Sequence, residues 1–216
     1  AEGTLKGAQN LLKTSPYPAL HLAKLYKSKS DNDSARQQID KAIEIDPDLV
    51  DAWAMLFTHL KETTDEDKAV AELEKLGTEK KNSRAYVALQ AFYGGKDETR
   101  DKAIGYGRKA LELNNDDVLA LLALSALHGQ KGDLEGVVKT LQPHEAKMSR
   151  DVRLANNYFE ALFQSRQIDK VTKLLNALAG SQNQQVKEFA IQRSKMVAQF
   201  LQQQQAQIAG LAGAKK

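Results

Sequence analysis

"ARQQIDKAIEIDPD" occupies residues 35–48. Its acids, Asp40, Glu44, Asp46 and Asp48, crowd around Pro47 and invite a reading as a metal site or an acid/base pair. Metal and acid/base chemistry needs ligands that converge in a cavity. These four run along one edge. The apolar residues between them carry more information. Ala35, Ile39 and Ala42 sit at offsets of zero, four and seven, which is one face of an α-helix. Asp40 and Glu44 fall outside that stripe, and Pro47 forbids its continuation. The stretch therefore reads as a solvated helix face followed by a helix stop.

The same stripe recurs every 34 residues. From Ala35 the steps reach Ala69, Ala103, Val137 and Val171; from Ile39 they reach Leu73, Gly107, Leu141 and Leu175; from Ala42 they reach Leu76, Ala110, His144 and Leu178. A second helix precedes each of these. Its markers are Ala19, Trp53, Val87, Leu121 and Ala155. The third period fits poorly: Tyr86, Leu89 and Tyr93 match better one residue earlier, as if "GGKDETR" (94–100) held one extra residue. An acid stands two residues before each Ala35-type position: Asp33, Asp67, Asp101, Glu135 and Asp169. There it meets the positive end of the helix dipole. Each period is thus helix, turn, helix, and one such pair cannot bury its apolar face without neighbours.

Composition agrees. The 216 residues are 42% hydrophobic and 27% charged, with only 4 prolines, and the dominant Ala, Leu, Lys and Gln favour helix. A net charge of +3 gives no concentrated basic surface for nucleic acid. The absence of cysteine excludes thiolate sites and cysteine nucleophiles. No segment reaches the ~18 apolar residues of a membrane span. The chain is expected to be soluble. The opening "AEGTLKG" lacks Met and reads as a processed or trimmed product, so cytoplasm and periplasm both stay open.

These residues resemble the tetratricopeptide repeat (TPR) family, whose unit is also about 34 residues. The first repeat supplies Ala19, Leu22, Ala23, Tyr26, Ala35, Ile39, Ala42 and the closing Pro47; the second supplies Trp53, Leu56 and Ala69; the fourth supplies Leu121, Leu124, Gly132 and Leu141. Phe57 and Phe159 depart from it, at a position the family keeps small. The resemblance implies an all-α fold, a right-handed superhelical solenoid of about five helix-turn-helix units. The expected divisions are an N-terminal helix at 1–15, free-standing or the second half of a preceding repeat, then repeats at 16–49, 50–83, 84–117, 118–151 and 152–185, and a capping helix with a frayed tail at 186–216. The apolar face of that last helix is Val186, Phe189, Ala190, Val197, Phe200, Leu201 and Ile208.

In the family the first helix of each repeat lines a concave groove. Carried over, the resemblance places there Tyr17, Leu20, Lys24 and Lys27; then Ala54, Met55, Thr58 and Lys61; then Ala88 and Phe92; then Leu119, Leu122, Ala123 and Ala126; and last Arg153, Asn156, Asn157 and Glu160. That lining is basic at one end, apolar in the middle and rich in amides at the other. It implies a non-catalytic scaffold or assembly factor binding a peptide or helix of a partner protein, with an acidic end near Lys24 and Lys27 and a backbone held by Asn156 and Asn157. A chaperone-tail carboxylate clamp is not expected, because the matching positions hold Leu20, Lys24, Met55, Ala85 and Leu89. Nucleic acid is not an expected partner, and RNA-binding helical repeats are the weaker alternative. Self-association through the Gln-rich C-terminal helix is the other. No cofactor, metal or catalytic residue is expected: the four histidines make no HExxH pair, and "YGGKDET" (93–99) lacks the Walker spacing.

Overall fold

The structure, a computed structural model, describes residues 1–213, with side chains through Ile208. The described residues form helices and turns, with no strand. They divide into two compact units, residues 1–127 and residues 128 onward.

The first unit contains α1 (Glu2–Leu11), α2 (Tyr17–Ser28), α3 (Asn32–Ile45), α4 (Val50–Thr63), α5 (Glu66–Glu79), α6 (Ser83–Gly94), α7 (Arg100–Leu113) and most of α8 (Val118–Gln130). The second contains α9 (Leu134–Leu141), a 3₁₀ turn (Gln142–His144), α10 (Glu145–Met148), α11 (Val152–Gln164), α12 (Ile168–Ala179) and α13 (Gln184–Gly213). The second helices of the pairs, α3, α5, α7, α9 and α12, begin at residues 32, 66, 100, 134 and 168, an interval of 34 at every step. The first helices, α2, α4, α6, α8 and α11, begin at 17, 50, 83, 118 and 152. α6 thus starts one residue early, and a long turn holding a 3₁₀ segment (Asp97–Thr99) restores the phase before α7. With that shift Tyr86, Leu89 and Tyr93 are buried, and so are Val87 and Gln90, so α6 is enclosed on most sides.

Local chemistry repeats with the same interval. Ser30, Gly132 and Arg166 occupy one position of the helix-to-helix turn, and all have positive φ (60°, 71° and 60°). Asp31, Asp65 and Asp133 each cap the following helix, accepting from Ser34 N, Lys68 N and Gly136 N. The cap satisfies one of the backbone donors a helix start leaves open. The acids two residues later all lie in the first turns of their helices.

Ala35, Ile39 and Ala42 are fully buried. They share a core with Ala19 and Ala23 of α2 and with Trp53 and Leu56 of α4. Each large apolar side chain in it contributes roughly 1.5–3 kcal/mol. Pro47 ends the stripe, and its carbonyl has a second role. It accepts from Trp53 Nε1 (2.9 Å) and from Asn82 Nδ2 (2.8 Å), tying the end of the first repeat to α4 and to the residue that caps α6. Three of the four acids have side-chain or turn partners: Asp40 meets Arg36 at 2.9 Å, Asp46 accepts from the Asp48 N–H at 3.0 Å, and Asp48 lies 3.5 Å from Arg84 of α6.

Three departures from sequence expectation have physical causes. The fourth period does not carry an unbroken second helix through His144. Pro143 lacks an N–H and its ring crowds the preceding turn, so α9 stops at Leu141 and a 3₁₀ turn and the one-turn α10 follow. In the third period Gly107 leaves the stripe without a side chain, and the buried Gln90 amide lies directly against it. At the C-terminus α13 is helical beyond Ile208, to Gly213. Residues 214–216 of the expected tail lie outside the described residues.

Candidate docking surface

The first two repeats build a cleft of about 430 Å³. α2 contributes Tyr17, Leu20, Lys24 and Lys27, spaced to share one helical face, and α4 contributes Ala54, Met55 and Thr58. Pro16 and Pro18 fix the entry into α2 and hold Tyr17 at its first position. Leu20 is buried and forms floor, whereas Tyr17 is 54% exposed and forms wall. His21 and Asp51 line the same cleft, though carry-over of the family pattern passes them by. The signal for His21 was present: it lies four residues after Tyr17 and three before Lys24, on the same face.

Charge around the cleft is uneven. Lys27 pairs with Glu62 at 2.6 Å, and Lys61 pairs with Glu66 at 3.0 Å. Lys24 is exposed and has no ion-pair partner among the described residues. Farther along the same unit, Phe92 of α6 is 42% exposed. Its ring packs edge-on against Phe57 (4.7 Å) and Tyr93 (5.0 Å), and Lys61 Nζ lies 4.5 Å over it. Ala88 is buried and offers no surface.

On α8, Leu119 is 42% exposed, Ala126 is exposed, and Leu122 and Ala123 are half-buried. The helix start is fixed by Asp117. That carboxylate is fully buried, accepts from Ser83 Oγ (2.7 Å) and Arg84 Nη1 (2.5 Å), and caps Leu119 N and Ala120 N (3.0 and 3.2 Å). Burial alone would raise the Asp117 carboxyl; Ser83, Arg84 and the Ala120 N–H together outweigh it and hold it below the usual range.

The second unit differs. Asn156 Oδ1 accepts from Arg193 Nη2 of α13 at 3.0 Å, and Glu160 pairs with the same guanidinium at 3.0 Å. Arg193 also lies over the Phe159 and Phe189 rings, 5.1 and 5.5 Å from their centroids. Arg153 is turned back onto Asp151 at 2.6 Å, and Asn157 is half-buried. The Asn156 amide oxygen is therefore already used by the chain's own C-terminal helix. His128, the residue at a position the family gives to Tyr, is buried with Nδ1 2.7 Å from Asp133 Oδ2.

No family model and no curated protein matches the sequence. Solved structures do match. The crystal structure of yeast Tom70 is 18% identical, with a TM-score of 0.56, over 94% of this chain and 43% of that one. PilW, described as a widely conserved type IV pilus biogenesis factor, is 12% identical with a TM-score of 0.50, over 87% of this chain and 88% of that one. YrrB, described as a TPR protein with an unusual peptide-binding site, is 19% identical with a TM-score of 0.47, over 90% of this chain and all of that one. The chain spans less than half of the Tom70 structure it matches. Together with the constant 34-residue interval of the second helices, the likenesses to Tom70 and PilW show an all-α helical repeat with the TPR fold.

Proposed function

We propose that this TPR-fold chain is a non-catalytic protein-interaction scaffold that receives a peptide or helix of a partner protein on the first helices of its N-terminal unit. One observation carries the reading. Beside Leu11, Leu12 and Leu113, the large apolar side chains exposed in that unit are Tyr17, Phe92 and Leu119, and these three fall on first helices, two of them beside a cleft or an aromatic cluster. Apolar groups left in water on a structured surface are the usual mark of a face that is covered in use. The distribution of charge supports a protein ligand over nucleic acid: residues 1–127 carry 18 Lys and Arg against 21 Asp and Glu. No helix among the described residues is long and apolar enough to cross a membrane.

The test is affinity capture from the native source with wild-type chain and with Phe92→Ala and Leu122→Glu variants. The expected result is one or more proteins retained by the wild type and lost from both variants, with melting temperatures that stay within a few degrees. Equal retention by all three would sink the proposal. A second reading, self-association, is favoured by α13, whose side chains from Gln202 to Ile208 are all exposed and include Ile208 at 67%. Sedimentation velocity across a concentration series, with and without residues 202–216, separates the two.

A further inference from the structure

We infer that the cleft between α2 and α4 is a selective pocket for one bulky apolar side chain of a partner segment, flanked within one helical turn by an acidic residue that meets Lys24. The inference rests on the docking role proposed above and gives it a chemistry.

The size of the cleft suits one anchor: about 430 Å³ holds a single large side chain with part of its backbone. The walls fix the polarity. Leu20, Ala54 and Met55 form an apolar bed, and the Tyr17 ring stands at its edge. Methionine and tyrosine walls suit a Leu, Met or Phe, since thioether and ring edges both pack well on such groups.

The rim fixes the charge. Two of the three lysines near the inner ends of α2 and α4 are neutralised within the chain, Lys27 by Glu62 and Lys61 by Glu66. Lys24 alone lines the cleft as an exposed cation whose partner is not supplied by the described residues. It stands between Leu20 and Lys27 on α2, so an acid next to the seated apolar residue comes within its reach. Asp51 lines the cleft from the first turn of α4 and disfavours a second acid on that side. The pocket therefore orients the partner segment as well as holding it. An apolar residue with an acid toward Lys24 fits; the same residue flanked by a lysine there meets an unpaired cation.

The experiment uses the full chain and a random peptide display library. Selection on the wild type is expected to enrich a bulky apolar residue with Asp or Glu within four positions. A selected peptide is then synthesised with its acid as Glu, Gln or Lys and titrated by fluorescence anisotropy. Lys24→Glu is expected to weaken the Glu peptide about fivefold to tenfold and to strengthen the Lys peptide relative to wild type. Ala54→Trp, which fills the cleft on a half-buried position, is expected to weaken all three peptides more than tenfold while leaving the circular dichroism melt unchanged. Two results would overturn the inference, and they are distinguishable. If selected peptides bind, lose affinity on Phe92→Ala, but ignore Lys24→Glu and Ala54→Trp, the docking face stands and this pocket is wrong. If selection enriches nothing, or its peptides ignore Phe92→Ala, Leu122→Glu and both cleft variants, the docking role itself fails and takes the pocket with it.

Discussion

Ser30 and Arg166 hold positive φ at a turn position where only Gly132, in the fourth repeat, is built for it. A side chain there costs about 1 kcal/mol, because Cβ crowds the carbonyl. Ser30→Gly is therefore expected to raise the unfolding free energy by about 0.5–1 kcal/mol, read from urea titration. Arg166→Gly should gain less, since it also gives up the guanidinium placed 4.8 Å over Phe200. A gain from Arg166→Gly as large as that from Ser30→Gly would show that the ring contact contributes nothing. His59 gives a second test at this scale. It is buried, its Nδ1 has no hydrogen-bond partner among the described residues, and burial, helped by Lys27 and Arg36, lowers its pKa below the ordinary 6.5. As pH falls past 6.5 the unfolded chain takes up a proton before the folded chain does, so stability falls with it. Above that value His59 contributes no slope. His59→Phe should flatten the melting temperature between neutrality and the carboxylate range; an unchanged slope would remove His59 as its source.

At the scale of the element, α9 depends on a crowded start. Asp133 caps it while its other oxygen meets His128, and a Cβ on Gly136 would run into both groups. Gly136→Ala is expected to cost about 1–2 kcal/mol by dislodging the cap. Asp133→Ala should cost a similar amount, and the double variant little more than either alone, because both act on one interaction. Full additivity in calorimetric melts would refute the shared cause. Elements of this kind divide into those legible from sequence and those not. The second helices were legible because Ala35, Ile39 and Ala42 recur in one phase, and burial enforces that phase. The break after Leu141 was also written in the chain, as Pro143. The turn position was not: Ser30 and Arg166 do not advertise a left-handed backbone, and tertiary packing imposes it on them. Nor was the use of Asn156 by Arg193, which depends on how α13 docks 37 residues away.

For the whole molecule, the candidate surface was half legible. The family pattern brought Tyr17, Leu20, Lys24, Lys27, Met55 and Thr58 to one cleft, and missed His21 and Asp51 beside them. It could not say which lysines are neutralised, since Glu62 and Glu66 answer Lys27 and Lys61 from helix ends and turns. The exposed end of α13 bears on stability as well as on association. Because side chains 202–208 are all exposed, cutting the chain before Gln202 should leave the melting temperature within about 2 °C of the full chain. A larger drop would mean that the end of α13 is held by contacts beyond those of Val186, Ala190 and Val197.

The left-handed turn position has one more consequence. α13 begins at residue 184, about where the interval would start a sixth first helix. Counting 34 on from Arg166 arrives at Phe200, inside that helix, with its ring against Phe163 at 5.2 Å. A phenylalanine resists the left-handed backbone more than serine or arginine does, and it has a packing site to lose. So α13 runs straight through this place, and Phe200 spends its side chain on packing against Phe163 instead of on a turn.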